Sequence, residues 1–147
     1  MNSMAKPVRL FDTCWITPQN AGLLDRVAHG TFDHPIDSDR LACYLVNSQN
    51  WMCVALVDGV VVSMCMCVVH DYPDKPSELF LDEFGTGVDW RAQGAARSIL
   101  KKVFDRADAQ GIEEIWLITE SHNVAARALY EGTGAKGEPA LIYYLKW

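Results

Sequence analysis

The fold of this chain is decided by residues 79–110, LFLDEFGTGVDWRAQGAARSILKKVFDRADAQ. The first part of this stretch has the apolar content of a β-strand, and a Gly-rich turn follows it. The turn leads into a helical pattern, in which one apolar stripe consists of Ala96, Ile99, Leu100, Val103 and Ala107. A strand, a tight turn and an amphipathic helix are therefore predicted in direct succession.

The turn between this strand and this helix has the features of an anion site. Its small residues Gly94, Ala95 and Ala96 let a ligand approach the backbone closely. The first N–H groups of a helix are unpaired and lie at the positive end of its dipole. Arg91 and Arg97 add charges that do not titrate near neutral pH. Small residues at such a corner are equally typical of a helix packed tightly on a sheet, so this feature alone leaves both interpretations open.

Two spaced patterns give the chain a resemblance to a known family. Arg-x-x-Gly-x-Ala at residues 91–96 resembles the pyrophosphate-binding signature of the GCN5-related N-acetyltransferases, the GNAT family. Asn-x-x-Ala-x-x-Leu-Tyr at residues 123–130 resembles the second signature of the same family. The two patterns occur in the family's order and about thirty residues apart, as the numbering shows. The resemblance implies an enzyme that uses acetyl-CoA as cosubstrate to acetylate an amine.

The resemblance also assigns residues to the acetyl donor. It implies that the turn holds the pyrophosphate, that the preceding strand lines the pantetheine arm, and that Asn123 contacts the pantetheine region. The Tyr130 phenol would protonate the departing thiolate. The expected cofactor-binding residues are Phe84, Gly85, Thr86, Arg91, Ala92, Gln93, Gly94, Ala95, Ala96, Asn123 and Ala126.

The remaining elements match the GNAT acetyltransferase fold. This is an α/β (α+β) sandwich with a mixed, mostly antiparallel sheet flanked by helices, in the order β-α-α-β-β-β-α-β-α-β. Strands are predicted at 8–16, 51–57, 60–69, 79–86, 113–119 and 140–147. Helices are predicted at 18–30, 37–47, 95–110 and 123–131. Asp58-Gly59 between two apolar strands is the strongest hairpin signal.

Asp82 and Glu83 are the candidates for a catalytic base. As neighbours in a strand they point to opposite faces, and strict alternation groups Glu83 with Leu79 and Leu81 without deciding which acid faces a cleft. The segments FDHPIDSDRL and HDYPDKPSELFLDEFG resemble those of aminoglycoside 3-N-acetyltransferases. That group places a catalytic carboxylate eight residues before the motif arginine, which implies Glu83. An apolar wall would raise the pKa of this carboxyl.

Gly85 and Gly87 are poor strand residues. They favour a β-bulge that splays two strands apart for the pantetheine arm. The alternative is that they simply mark the end of the strand.

Acidic residues are predicted to bind the acceptor, and those in the candidate cleft are Asp33, Asp37, Asp74, Glu78 and Glu120. A polycationic, aminoglycoside-type amine suits them, with direct transfer in a ternary complex. The alternatives are an amino acid, a polyamine, a protein or peptide amine, or a non-catalytic acyl-CoA-binding module. A run of charges is also typical of a solvated surface.

Length and composition narrow the remaining choices. A chain of 147 residues predicts one N-acetyltransferase domain over 1–147. The net charge of −6 argues against nucleic acid as a partner. Without a signal-type or membrane-spanning run, the cytoplasm and a small-molecule partner are expected, with no membrane contact. The five cysteines form no Cys-x-x-Cys pair, so no metal is expected. A homodimer is left open.

Overall fold

The computed structural model describes residues 9–147. The chain divides into two compact units, one that extends to Leu117 and one formed by Ile118–Trp147. The first unit holds the sheet and the second holds the last helix. Val8, the first residue of the first predicted strand, lies outside the described residues.

The first unit is built on one five-stranded sheet in the order β1-β2-β3-β4-β5. Neighbouring strands run antiparallel except for β4 and β5, which are parallel. The sheet is therefore mixed and mostly antiparallel, as the sequence predicted. The strands are β1 (Asp12–Trp15), β2 (Asn50–Val57), β3 (Val60–His70), β4 (Glu78–Thr86) and β5 (Glu114–Leu117).

The β2–β3 hairpin turns at the predicted dipeptide. Asp58 and Gly59 have φ angles of 50° and 74°, which are the two left-handed residues that a type I′ turn needs. This turn matches the right-handed twist of the strands it joins. The hairpin prediction is confirmed.

Helices cover both faces of the sheet. Helix α1 (Ser38–Val46) begins after Asp37, whose carboxylate accepts a hydrogen bond from the Arg40 N–H at 2.8 Å. It packs over a core cluster of buried residues from β2, β3 and their surroundings, which includes Met52, Val54 and Met64. Helix α2 (Ala95–Ala109) packs against β2, β3 and β4 through its predicted apolar stripe, except that Ala95 is buried where Ala96 was expected. Helix α3 (Val124–Glu131) belongs to the second unit.

On the α2 face, an arginine is held between two tryptophans. The Arg106 guanidinium lies 4.4 Å from the ring centre of Trp15 and 4.1 Å from that of Trp51. The two rings meet edge to face at 5.8 Å. This stack ties the last turns of α2 to β1 and β2.

Cys65 and Cys67 lie together on the same face, fully buried, with their sulfurs 3.6 Å apart. The sequence-based interpretation of these cysteines as buried hydrophobic residues is confirmed.

The helix predicted at 18–30 is wrong over most of its length. Only Ala21–Asp25 is helical, as a short 3₁₀ helix. Beyond it the backbone is captured by β3: the Ala28 N–H donates to the Val61 carbonyl at 2.8 Å, and the Val61 N–H donates to the Arg26 carbonyl at 2.9 Å. These tertiary hydrogen bonds outweigh the local helical preference, because propensity is a weak term compared with pairing to a sheet.

The last predicted strand, 140–147, is also wrong as a description of this structure. Its residues form no strand, and its large apolar side chains are exposed. A strand exists only through hydrogen bonds to a neighbour, and no strand of residues 9–147 pairs with this segment.

Candidate active site

A β-bulge shapes the middle of β4. Cys67 pairs with Leu81 and Met66 pairs with Glu83, so Asp82 is an extra residue with no partner on β3. Cross-strand partners share a face, and Met66 packs against the core cluster under α1. Glu83 therefore faces the α1 side, whereas Leu81 faces α2. The grouping of Glu83 with Leu79 and Leu81 was wrong, because the extra residue reverses the alternation.

Acidic neighbours surround the Glu83 carboxyl. Partial burial raises its pKa above the ordinary value, and the negative charges of Asp33 and Asp82 raise it further, while His34 opposes the shift. A carboxylate with a raised pKa is a better proton acceptor near neutral pH than an ordinary one. Asp33 and Glu83, fifty residues apart in the sequence, therefore interact electrostatically, and the role of Asp33 in binding the acceptor stays a prediction.

Two glycines allow the Asp33 segment to reach β4. A Cβ on Gly85 would lie 2.1 Å from the Thr31 carbonyl oxygen, and one on Gly87 would lie 2.9 Å from the Ala28 Cβ. Residues 28–31 therefore cross directly over the end of β4. The Val88 N–H donates to the His29 carbonyl at 2.9 Å and fixes the crossing. These glycines do not form the bulge predicted for them: Gly85 stays paired with Met64, and β4 ends at Thr86.

The second half of β4 has an open edge. The parallel pairing with β5 stops at Leu81 and Leu117, so no strand among the described residues pairs with β4 beyond this point on that side. An extended ligand could therefore bind the outward backbone groups of residues 82–85 as a strand would, whereas the Thr86 carbonyl accepts a hydrogen bond from Arg91. On the other side, the Ser63 hydroxyl donates to the Gly85 carbonyl and contacts the Thr86 hydroxyl, each at 2.9 Å. Phe84 pairs with Cys65 and faces α2.

The corner after β4 has the backbone of an anion site. Ala92 and Gly94 have left-handed φ angles of 58° and 96°, a pattern that turns successive N–H groups into a shallow nest. A left-handed alanine is strained, and such strain is typical of functional loops. Gly94 caps α2 without a side-chain hydrogen bond, and no acidic residue lies in the first turn. The N–H groups at the start of α2 are therefore left for a ligand.

The two arginines of the corner differ in how they are held. The Arg91 Nε donates to the Thr86 carbonyl at 3.4 Å and links the corner to the end of β4. Gln93 donates to the Asp89 carbonyl at 3.0 Å. Neither Arg91 nor Arg97 forms a salt bridge with another described residue. Both charges are exposed beside the helix start, which strengthens its attraction for a phosphate.

The second unit carries the remaining predicted site residues. The Asn123 side chain accepts a hydrogen bond from the Ala126 N–H at 3.1 Å and caps α3. Its amide NH₂ group is not needed for that contact. Tyr130 lies half-buried in the last turn of the same helix. Glu120 pairs with the His122 imidazole at 2.9 Å. Their parts in catalysis and binding stay predictions.

Two of the other predicted acceptor-binding acids, Asp37 and Glu78, have structural partners. Asp37 caps α1. Glu78 accepts hydrogen bonds from Lys75 and from the Tyr72 hydroxyl, and it lies five residues along β4 from Glu83, roughly 16 Å at 3.3 Å per residue. Asp74 is exposed in the loop before β4. Their roles as acceptor ligands stay predictions, and only Asp33 interacts with Glu83 among these residues.

Sequence reasoning missed two parts of the site. Thr31 and His34 were treated as parts of a connecting segment. In the structure Thr31 packs on Gly85, and the charge of His34 opposes the rise in the pKa of Glu83. Thr31 is 2% exposed and its hydroxyl donates to the Ala28 carbonyl at 2.8 Å. The only available signal was that they flank Asp33 in the sequence.

The buried cysteines Cys53 and Cys65 are poor nucleophiles. Burial raises the pKa of the Cys53 thiol to about 12. The pKa of the Cys65 thiol is raised mainly by its hydrogen bond with Cys67, and burial raises it further. Both therefore stay protonated and unreactive near neutral pH. No group of three or more His, Cys, Asp or Glu side chains within residues 9–147 is arranged to hold a metal ion.

Comparison with known proteins identifies the family. The model of the acetyltransferase (GNAT) family matches residues 12–135. The chain belongs to the GNAT family. It has the GNAT fold, with the mixed sheet and flanking helices that the sequence predicted.

Sequence relatives match only part of the GNAT chain. The chain is 36% identical to the uncharacterized N-acetyltransferase YycN of Bacillus subtilis over 67 residues. This aligned stretch covers 45% of this chain and 43% of that protein. The chain is 35% identical to the ribosomal protein bS18-alanine N-acetyltransferase of Escherichia coli over 63 residues, and this stretch covers 40% of this chain and 43% of that protein. The matched stretches span less than half the length of these curated relatives.

Solved structures match over nearly the whole chain. The aminoglycoside acetyltransferase meta-AAC0020, from an uncultured soil metagenomic sample, has a TM-score of 0.77 at 17% identity, covering 93% of this chain and 97% of that one. AAC(6′)-Iy, in complex with the bisubstrate analogue CoA-S-monomethyl-acetylneamine, has a TM-score of 0.75 at 18% identity. The match covers 95% of this chain and 99% of that chain. The ribosomal-protein-alanine N-acetyltransferase of Brucella melitensis has a TM-score of 0.71 at 18% identity, and the match covers 94% of this chain and 100% of that chain.

At these identities the structural likeness shows the fold alone. The name of AAC(6′)-Iy places that enzyme in the 6′ class, whereas the sequence pattern favoured the 3-N class, so this likeness gives the 3-N position no support. Among the helices of residues 9–147, none has the length and apolar content to cross a membrane.

Proposed function

We propose that this GNAT enzyme transfers the acetyl group of acetyl-CoA directly to a primary amine, with Glu83 as the base and Tyr130 as the acid. The observation that carries the proposal is the arrangement along β4. Residues 82–97 hold, in succession, a carboxylate of raised pKa beside a β-bulge, a backbone edge with no strand partner, and a corner suited to an anion.

The donor half of the reaction is supported by the corner and by the open edge. The nest at residues 91–94, the start of α2 and the two arginines match a pyrophosphate in charge and size. The free edge of residues 82–85 suits the amides of a pantetheine arm, which can pair with a strand edge. A backbone N–H on this edge would polarise the thioester carbonyl as the amine attacks.

The acceptor half is supported by Glu83 and Asp33. Their charges attract an ammonium group, which must lose a proton before its nitrogen can attack the thioester. Glu83 accepts that proton, directly or through a water molecule, and Asp33 holds the substrate beside it. The new C–N bond forms as the C–S bond breaks, and the nitrogen then loses its second proton to solvent. Tyr130 donates a proton to the leaving thiolate and regains one from solvent. A cationic aminoglycoside-type acceptor fits this acidic site best.

A second acceptor class has separate support. The sequence match to the bS18-alanine N-acetyltransferase of Escherichia coli favours a protein or peptide N-terminus. Amino acids and polyamines present the same ammonium group to Glu83. These acceptors share the chemistry proposed here and differ only in what lies beyond the reacting nitrogen.

The test is release of free CoA thiol from acetyl-CoA with aminoglycosides, polyamines, amino acids and Ala-initiated peptides. We expect turnover with an aminoglycoside, and we expect Glu83→Gln to lower kcat/KM about 10²- to 10⁴-fold, the usual contribution of a general base. The matched control is Glu113→Gln, an exposed glutamate outside the site. CoA affinity should be unchanged in both variants.

Each other outcome changes the proposal in a defined way. Turnover only with peptides would replace the acceptor and keep the mechanism. Normal turnover by Glu83→Gln would remove Glu83 from the role of base. CoA binding without any acetylated product would favour the non-catalytic acyl-CoA-binding module.

A further inference from the structure

Lys75 occupies a cation site formed by a carboxylate and an aromatic ring. Its Nζ atom lies 2.5 Å from Glu78 Oε1 and 4.0 Å from the centre of the Tyr72 ring. The Tyr72 hydroxyl donates to the other carboxylate oxygen of Glu78 at 3.1 Å, so the ring and the carboxylate hold each other in place. Both groups attract an ammonium ion, the ring through its quadrupole and the carboxylate through its charge. The lysine therefore shows which ligand chemistry this site takes.

The sheet supports the aromatic side of this site. The His70 ring centre lies 6.3 Å from that of Tyr72, and it lies 5.9 Å from those of both Phe80 and Trp116. Phe80 and Trp116 pack on each other at 4.4 Å. His70, Phe80 and Trp116 belong to β3, β4 and β5, so three neighbouring strands fix the rings on which Tyr72 rests.

The lysine is the exposed part of the site. Its side chain is 46% exposed, whereas that of Glu78 is 13% exposed. Lys75 lies in the segment 71–77 between β3 and β4. The hydrogen bond from Lys75 and, to a smaller extent, that from Tyr72 lower the pKa of the Glu78 carboxyl, and burial opposes this shift. The carboxylate is therefore ionised at neutral pH, and another cation can replace the lysine without disturbing the rings.

The β-bulge at Asp82 places this site on the same face of the sheet as Glu83. Glu78 pairs with His70. Glu83 pairs with Met66, and alternate residues of β3 such as Met66 and His70 share a face. In a regular strand, the five positions between the two glutamates would put them on opposite faces. Because the bulge takes up one residue, their separation is that of four β3 residues, roughly 13 Å at 3.3 Å per residue.

Two carboxylates at this spacing suit an acceptor with two amines. Phe80 pairs with Val68 and lies between the glutamates on the same face. It is half-buried, so its ring offers apolar surface to the carbon chain that joins the amines. A single bond of about 1.5 Å advances about 1.25 Å along an extended chain, so about ten bonds span this distance. A linear diamine of about nine carbons has that length.

We propose that the Glu78–Tyr72 site binds a second ammonium group of the acceptor, which displaces Lys75, while Glu83 receives the amine that is acetylated. This inference rests on the proposed function and narrows its substrate class to polycationic acceptors with two amines roughly 13 Å apart. Linear polyamines and aminoglycosides both supply such ammonium groups, and the experiments below distinguish them.

The first test is calorimetric binding of α,ω-diamines of increasing length to the full chain without acetyl-CoA, so that it does not depend on turnover. Monoamines of the same carbon number are the controls for apolar contacts. We expect the advantage of the diamine to peak near nine carbons, about the length worked out above. Glu78→Gln should weaken diamine binding about tenfold or more, because it removes a charged hydrogen-bond acceptor. An advantage that is independent of length, or that survives Glu78→Gln, would overturn the proposal.

The second test is Lys75→Ala, which distinguishes a ligand site from an ordinary ion pair. Removing the resident cation frees the site, so the affinity for the diamine should rise about 3- to 10-fold, the combined strength of an exposed ion pair and a cation–π contact. The matched control is Lys101→Ala, which removes a lysine held by Asp105 at 2.9 Å and should leave the affinity unchanged. Circular dichroism checks that both variants are folded. An affinity of Lys75→Ala no higher than that of the wild type would contradict the displacement of Lys75.

The third test measures release of CoA thiol with the same diamines and with aminoglycosides. We expect Glu78→Gln to raise KM for the acceptor and to leave kcat nearly unchanged, because Glu78 lies away from the reacting nitrogen. An effect on only one class of acceptor identifies the source of the second ammonium group. Diamine binding with the expected variant effects but without thiol release would keep the site and refute the proposed function. Turnover with an unchanged KM in Glu78→Gln would keep the proposed function and refute the site.

Discussion

Gly85→Ala tests how the site is assembled, because this glycine lies where two distant segments touch. A Cβ added there would be 2.1 Å from the Thr31 carbonyl oxygen, 3.1 Å from the Thr31 carbonyl carbon and 3.3 Å from the Met64 Cε. Non-bonded atoms are stable at about 3.5–4.0 Å. The added methyl group therefore needs more than 1 Å of backbone movement by one segment, roughly the difference between those distances.

Neither segment can move without losing contacts. Residues 28–31 are fixed by the hydrogen bond from Ala28 to Val61 and by that from Val88 to His29, and Gly85 is paired in the β3–β4 ladder. Extra atoms in a packed core cost about 1–3 kcal/mol, and the stiffer unfolded chain returns about 0.4–1 kcal/mol. We expect a net loss of about 1–2 kcal/mol, which at about 2–4 °C per kcal/mol lowers Tm by about 2–8 °C.

The measurement is thermal and urea unfolding of Gly85→Ala beside a matched glycine in the same unit. Gly22→Ala is the control, because its Cβ would meet only the Asp25 carboxylate at 3.9 Å. In the acetyltransferase assay, Gly85→Ala should also raise KM for the acceptor, since Asp33 follows the displaced Thr31 closely. If Gly85→Ala and Gly22→Ala agree within about 0.5 kcal/mol, the spread of ordinary surface changes, the crossing is not as tight as described.

Four further changes test separate parts of the structure. Asp33→Asn removes a negative charge that raises the pKa of Glu83, so the acidic limb of the kcat/KM profile should move to lower pH; an unmoved limb would show that another group controls it. Because the folded state holds the Glu83 proton to a higher pH than the unfolded chain does, ionisation costs stability as pH rises through that interval, and Glu83→Gln should be at least as stable as the wild type at pH 7. Arg97→Ala should weaken CoA binding about tenfold, or about 1.4 kcal/mol, in calorimetry, whereas Lys101→Ala, one turn further along α2, should not; equal effects would argue against the corner. Arg106→Ala removes the guanidinium from between its two tryptophans and should cost about 1–2 kcal/mol in urea unfolding, unless the stack contributes nothing.

How much of the site could be predicted differs from residue to residue. The corner at residues 91–97 was predictable because its chemistry is local: a strand end, small residues and a helix start are consecutive in the chain. The hairpin at Asp58-Gly59 was predictable for the same reason, since two left-handed residues specify the turn. Glu83 was named only through a resemblance, and the alternation that grouped it with Leu81 was wrong.

The sequence by itself determined the class of fold, the β2–β3 hairpin and the succession of strand, turn and helix within residues 79–110, because periodicity, turn residues and helix caps act between neighbours in the chain. The tertiary structure alone decided which face Glu83 occupies, since one unpaired residue at Asp82 reverses the alternation and only the register with β3 reveals it. It also decided that residues 26–28 leave the helical path to pair with Val61 and bring Asp33 to Glu83. Residues 140–147 show the limit most clearly: their composition predicts a strand, but a strand forms only with a neighbour, and these residues are not a strand in the structure.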